Sequence, residues 1–557
     1  MVSSSDWYKE MSFYQIWPRS FKDGNGDGIG DLYGVYEKLD YIRDLGVDGI
    51  WFSPLYVSPN ADYGYDVADY QQISPEYGDL TIFQKVLDGA HQRGLRVIMD
   101  LVVNHTSSEH PWFQAANASR HNPYHDYYIW RPGRPDGKLP NNWDSLFEGK
   151  AWQYYPQLDE YYLHIFAIKQ PDLNMDNPAV REEVKQIMRF WLERGVDGFR
   201  EDVITFISKT PGLPNDYLMP TAKGIRFYSN GPRIHEYLQE FKRDVLDHYD
   251  CLTIGEAPMM KPRVALRYIA EDGARDLDLM FHFQHMEADC LFLDYLPRPF
   301  SLRKLKRAFS RWQRALQQRA WNALYLENHD HPRVISRYGS EQYRVESGKM
   351  LAVCYLFQQG TPFIYQGQEI GMTNIALPSI SDYRDVMTIN EYNKRQRQPE
   401  TKKMALIHRA SRESARTPMQ WSNGAYAGFS SVEPWFKVNP NYPEVNVAAA
   451  LADDGSLLHF YRQALQLRKQ LPMIRWGDYR EYRPHSKYFY TYERSYRGSR
   501  LLVICYFGAS QRRYRAPAGF DLANAELLLA NYPDNAVWQN SFLARPYETR
   551  VYLFAGQ

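Results

Sequence analysis

The chain has 557 residues, with 66 basic and 66 acidic side chains and no long block of one sign. That length calls for two or more domains or one large barrel, and the balanced charge argues against a polyanion such as nucleic acid or electrostatic attachment to a membrane. No apolar run is long enough to span a bilayer, and Met-Val-Ser-Ser-Ser-Asp-Trp-Tyr at the N-terminus has no basic segment followed by an apolar one.

Four widely spaced cysteines (Cys251, Cys290, Cys354, Cys505) without CxxC pairing read as buried free thiols, so a cytoplasmic setting is expected. Most of the 44 Tyr and 14 Trp serve a mixed core, with a minority suited to stacking against sugar rings.

The first apolar run, Phe13–Trp17, leads into Pro-Arg-Ser-Phe and then into Asp23-Gly-Asn25-Gly-Asp27-Gly-Ile29-Gly-Asp31. Oxygen ligands on alternate residues, with glycines for the turn, follow the calcium-loop pattern through its ninth position. The twelfth position is Gly34, where an EF-hand needs a bidentate Glu. A structural loop site for Ca²⁺ or Mg²⁺ is therefore predicted, with Asp23, Asn25, Asp27, the Ile29 carbonyl and Asp31 as ligands.

Further short apolar runs follow: Gly49–Phe52, Arg96–Val103 before His105, Val196–Arg200 before Asp202, Leu252–Gly255 before Glu256, Leu277–Phe283, Ala323–Leu326 before His329 and Asp330, and Pro362–Tyr365. Helical patterns such as Val180–Arg194 and Arg233–Tyr249 lie between them. Eight strand–helix alternations predict an α/β fold, a (β/α)₈ TIM barrel, whose chemistry sits at the C-terminal strand ends.

A Trp- and Tyr-rich insertion after strand three, residues 105–175, predicts an irregular subdomain walling the site. The barrel then comprises 1–104 and 176–473. A polar excursion of about 372–450 carries the basic run Asn393–Arg397, read as a solvated face. The helix Leu457–Leu471 follows, and alternating runs beyond residue 474 predict a C-terminal antiparallel β-sandwich over 474–557.

In Asp197-Gly-Phe-Arg-Glu-Asp-Val-Ile204, strand alternation puts Arg200 and Asp202 on one face and Phe199 and Glu201 on the other. The guanidinium is expected to lower the pKa of Asp202 and hold it ionised, as a nucleophile requires. A structural ion pair fits this segment equally well. Acids at several strand ends, without a Cys/His cluster, a phosphate loop or a serine elbow, point to glycoside chemistry, in which one carboxylate attacks and another donates and recovers a proton. Glu256 follows the apolar Leu-Thr-Ile-Gly, a setting that shields an acid from water.

The segments Asp100-Leu-Val-Val-Asn-His105, Gly198–Asp202, Gly255-Glu256 and Asn328-His-Asp330 resemble, in order and spacing, the conserved regions of the α-amylase family of glycoside hydrolases (family 13). Gln170-Pro-Asp-Leu-Asn174 and Ala415–Trp421 are similar to motifs of its oligo-1,6-glucosidase branch, as is the Asp23–Asp31 loop to that branch's metal loop. The resemblance implies a retaining double displacement, with Asp202 as nucleophile, Glu256 as general acid/base and Asp330 as transition-state stabiliser. It places Asp62, Tyr65, His105, Arg200, His329 and Arg416 around the terminal glucose, with Phe166 and Gln170 nearby.

Val203, after the nucleophile, is similar to the residue typical of α-1,6 cleavage, where Thr is typical of α-1,4. The implied enzyme is an exo-acting α-glucosidase on isomaltose and short isomalto-oligosaccharides, a monomer or weak homo-oligomer. Alternatives are a maltase-like enzyme, a trehalose-6-phosphate hydrolase and a sucrose-isomerising or transglycosylating relative. A non-catalytic transporter ectodomain is disfavoured by the intact acids. The chain departs from the family pattern at Glu201, Tyr63 and Met175.

Overall fold

The computed structural model describes residues 6–147, 149–291 and 293–556. The N-terminal reading over Met1–Ser5, residues 148 and 292, and the last residue of the predicted C-terminal domain lie outside them. Eight parallel strands form one sheet: β1 (Phe13–Ile16), β2 (Gly49–Phe52), β3 (Arg96–Leu101), β4 (Gly198–Glu201), β5 (Leu252–Ala257), β6 (Leu279–His282), β7 (Ala323–Leu324) and β8 (Thr361–Tyr365). Their order is β6-β5-β4-β3-β2-β1-β8-β7. The Tyr325 hydroxyl beyond β7 donates to the His282 carbonyl of β6 at 3.0 Å, which brings the two ends of the sheet together. The predicted barrel is this sheet.

Alternation fills the barrel in layers. Its floor is apolar: Phe13, Trp51, Ile98, Leu252, Ile254, Leu279, Phe281 and Phe363 form one buried cluster. Two residues further along the same faces the composition turns polar, with Asp100 after Ile98 and Glu256 after Ile254. Register then sets lateral neighbours, because Asp100 pairs with Arg200, and Arg200 with Ile254. Gly198 opens β4 at φ 146°, and a Cβ there would stand 2.1 Å from the Leu252 carbonyl oxygen, so only glycine lets β4 approach β5 this closely.

The helices read as their sequences suggest. Pro178–Leu192 starts at Asn177, whose side chain accepts the Ala179 amide, and it buries Val180, Val184, Ile187, Met188 and Trp191 along one face. The Trp191 indole donates to the Tyr70 carbonyl at 2.9 Å and locks that helix to the barrel. In the region read as Arg233–Tyr249, the helix Ile234–Asp244 gives way to a short 3₁₀ turn at Leu246–His248.

The insertion holds a three-stranded antiparallel sheet ordered Trp130–Arg131, Glu160–Leu163, Trp152–Tyr155. At the C-terminal end, five antiparallel strands run in the order Asp478–Tyr482, Phe489–Tyr496, Ser499–Tyr506, Thr549–Phe554, Glu526–Ala530, beside the pair Arg512–Arg515 and Ser541–Ala544. Lys306 ties this sheet to the barrel by donating to the carbonyls of Arg483 and Phe489. All four cysteines are free; Cys251 is half-buried where full burial was expected.

Candidate active site

The site is a cleft at the C-terminal strand ends, with about 1260 Å³ of empty space between its walls, open solvent included. Asp62, Tyr65, His105, Phe166, Asp202, Val203, Glu256 and Asp330 line it together with Arg412.

Arg200 is its electrostatic centre. One nitrogen donates to Asp100 at 2.8 Å and to Asp202 at 2.7 Å, and another contacts Glu256 at 2.7 Å. The guanidinium lies over the Trp51 and Tyr65 rings and is 1% exposed. Burial pushes Asp202 well above the ordinary carboxylate range; Arg200 opposes the shift, and the charges of Glu256 and Asp100 add to it. The expected lowering of Asp202 is thus reversed, because burial outweighs a guanidinium that is shared among three carboxylates. Asp100 is likewise raised to about 7 by burial, against Arg200. A cluster with such surplus negative charge relieves it by holding a proton, which a general acid needs.

The second acid is fixed from two sides, since Glu256 Oε2 also accepts the Val203 amide at 3.1 Å. Val203 sits at φ 35°, ψ 38°, left-handed backbone that a β-branched residue adopts at a cost of about 1–3 kcal/mol. That turn aims the amide at Glu256 while the isopropyl group lines the cleft. Strand alternation is as expected: Glu201 faces away from the cleft, 1% exposed, with neither carboxyl oxygen bonded to any of the described residues. Burial, with the charges of Asp278 and Asp276, pushes its carboxyl up to about 8.

A second arginine group holds the third acid. Arg412 donates to Asp330 and to Asp62, both at 2.9 Å, and contacts Asp385 at 2.7 Å. Arg416 reaches Asp330 at 3.1 Å. Burial acts to raise Asp330, but His329, Arg412 and Arg416 outweigh it and hold the carboxyl well below the usual range. The His329 ring is stacked between Tyr65 and Trp17, at 5.3 and 5.2 Å between centroids. Burial pushes its pKa down to about 4, as it does that of His105. Asp62 is raised to about 6, by burial foremost, with Arg412 opposing.

The sequence-derived residues therefore separate into two layers. Asp62, Tyr65, His105, Phe166, Val203 and the three acids face the cleft. Arg200, Gln170, His329 and Arg416 stand behind it: Gln170 Nε2 bonds Asp62 at 3.2 Å, the Tyr65 carbonyl at 3.3 Å and His105 at 3.1 Å. Arg412, Asp385 and the support role of Asp100 were missed by sequence reasoning. Tyr63 packs on Trp435 at 5.4 Å and under Arg19, outside the lining, while Met175 is core.

In the Asp23–Asp31 loop, Asp23 accepts the amides of Gly26 and Gly28 and the Ser430 hydroxyl. Asp31 accepts those of Gly24, Asn25 and Gly34 and caps the helix Leu32–Glu37. The donor set is all oxygen, which suits a hard cation. Among the described residues, however, no three acidic, His or Cys side chains converge as a metal cluster.

A barrel with paired carboxylates at its C-terminal strand ends, joined by one buried arginine, defines a glycoside hydrolase. The alpha-amylase catalytic-domain family matches residues 15–477, and the chain belongs to that family. It is 49% identical to an oligo-1,6-glucosidase of Parageobacillus thermoglucosidasius, covering 98% of each chain. It is 47% identical to that of Halalkalibacterium halodurans, covering 99% of each. The trehalose-6-phosphate hydrolase of Bacillus licheniformis superposes with a TM-score of 0.93 at 42% identity, over 98% of this chain and 99% of that one.

Proposed function

We propose that the chain is a retaining, exo-acting α-glucosidase that hydrolyses α-1,6-glucosidic bonds of isomaltose and short isomalto-oligosaccharides from the non-reducing end. With the proton of the Arg200 cluster carried by Glu256, the Asp202 carboxylate attacks the anomeric carbon as Glu256 protonates the departing glycosidic oxygen, leaving a glucosyl ester; Glu256 then takes a proton from the water that cleaves this ester and releases glucose. Asp330, held ionised by its cations, grips the sugar hydroxyls. The observation that carries this reading is Arg200 spanning both acids, which favours the short separation of retaining enzymes, about 5 Å, over the longer one of inverting enzymes.

The linkage rests on Val203 and on the likeness to the oligo-1,6-glucosidases. A phosphorylated disaccharide suits the cleft poorly: it is lined by Asp62, Asp202, Glu256, Glu287, Asp294 and Asp330, against Arg412 and no lysine, and Arg412 is already shared among three carboxylates. Product analysis on isomaltose, maltose, panose, sucrose and trehalose-6-phosphate tests the reading, with isomaltose and panose expected to be cleaved fastest. Fastest turnover of trehalose-6-phosphate or sucrose would refute it. Val203→Thr should raise maltose over isomaltose hydrolysis by about fivefold, the worth of one hydrogen bond.

The Asp23–Asp31 loop is proposed to hold a structural Ca²⁺ or Mg²⁺ through Asp23, Asn25, Asp27, the Ile29 carbonyl and Asp31, stabilising the loop without entering the reaction. Chelator-stripped protein should lose melting temperature and give binding heat with the cation. An unchanged melting temperature and no heat would rule the site out. A cytoplasmic, monomeric or weakly associating enzyme completes the proposal; among the described residues no helix is long and apolar enough to cross a membrane.

A further inference from the structure

Among the described residues, six carboxylates line the cleft, and five of them are bound by neighbouring groups. Asp62, Asp202, Glu256 and Asp330 belong to the two arginine groups, and Asp294 accepts from His331 at 2.8 Å and Arg337 at 2.9 Å. Glu287 differs. It is half-buried in the turn beyond β6 and lines the cleft beside Met286, Cys290 and Tyr295. Among the described residues nothing donates a hydrogen bond to it or pairs with it. Burial raises its carboxyl above the ordinary range, with only the more distant charge of Lys304 opposing. A carboxyl left unpaired on a cleft wall keeps its lone pairs for a ligand.

Its place in the barrel says which part of a ligand it meets. The side chains enclosing the terminal glucose come from the loops beyond β2, β3 and β7 and from the Arg412 segment. Glu256 lies next to last in β5, and β6 is the next strand around the barrel, so Pro258, Met259, Phe283 and Glu287, from beyond these two strands, continue the cleft past the acid. The group whose oxygen Glu256 protonates departs on that side. The nearby lining is apolar apart from Glu287 and the already bonded Asp294 and His331.

We propose that Glu287 is a specificity-determining residue that accepts hydrogen bonds from the hydroxyls of the departing sugar. The inference rests on the α-glucosidase reading above. It implies that the enzyme distinguishes leaving groups by their hydroxyls: a sugar gains this contact, while an aromatic aglycone of similar size does not.

The test compares two substrates in the full-length enzyme, the disaccharide that wild type cleaves fastest and p-nitrophenyl α-glucoside, whose aglycone carries no hydroxyl donor. Glu287→Ala should lower kcat/KM for the disaccharide about tenfold or more, chiefly through KM, and leave the aryl glucoside within about twofold. Glu287→Gln keeps the shape and one acceptor oxygen, carries the test should the alanine variant not fold, and should show a smaller loss with the same selectivity. Equal losses on both substrates, or no loss on the disaccharide in either variant, would overturn the role. Wild-type protein inactive on every α-glucoside would overturn both this and the parent reading, and that outcome precedes any variant.

Discussion

The two arginine groups that hold the acids of the cleft use the same chemistry to opposite ends. Arg200 alone serves Asp100, Asp202 and Glu256, so negative charge exceeds positive and burial drives Asp202 and Asp100 upward. On the other side Arg412 and Arg416 share Asp330 and Asp385, and those carboxyls are held low. Asp62 departs from that side's pattern, since its own burial and the nearby charges of Asp385 and Asp66 outweigh the arginines. With all of these carboxyls buried, it is the ratio of guanidinium to carboxylate that separates a wall that can hold a proton from one that stays ionised.

The largest disturbance is expected from Arg200→Lys. An ammonium cannot fork between Asp202 and Glu256, and the variant should lose about 10²–10³-fold in kcat/KM with its pH profile displaced. A near-normal rate with an unchanged profile would mean that the cluster does not depend on the shared cation. Arg412→Gln should cost less, about 10–100-fold and mainly in KM, because Asp330 keeps Arg416 and His329. A fall confined to kcat would contradict a gripping role.

The smallest effect on activity concerns Glu201, a buried carboxyl that no arginine among the described residues pairs with. Its folded pKa of about 8 lies above the unfolded value of about 4.3. The folded state therefore keeps a proton that the unfolded chain releases, and the stability this carboxyl contributes is full below the unfolded pKa and lost as pH rises through the folded one. Glu201→Gln should accordingly be more stable than wild type at pH 9, by up to about 5 kcal/mol in denaturant titrations, with the difference vanishing toward pH 4. An equal difference at both pH values would show that packing, not charge, is involved.

Much of this arrangement was legible because local rules produce it. Alternation along Gly198–Asp202 put Arg200 with Asp202 and turned Glu201 away, and the acids following apolar runs marked the strand ends. What escaped depends on residues far apart in the chain. Arg412 sits in a polar excursion with a neighbouring basic run, and nothing local shows that it meets Asp62 at a separation of 350 residues. The direction of the Asp202 shift needed a count of carboxylates per guanidinium, which only the β3–β4–β5 register reveals. Val203 was read as a side chain selecting a linkage; its left-handed backbone and its amide bond to Glu256 have no signal in sequence, since valine there goes against propensity. Motif order brings Gln170, His329 and Arg416 to this end of the barrel, but composition does not separate the layer that lines the cleft from the one behind it.

The central claim, attack by Asp202 with proton donation by Glu256, meets its most direct test in a proton NMR time course on isomaltose, with mass spectrometry of enzyme trapped by a 5-fluoro-glucosyl fluoride. Glucose released from the non-reducing unit should appear first as the α anomer, and the trapped sugar should be found on Asp202. First release of β-glucose, or a label on any other residue, would contradict the mechanism.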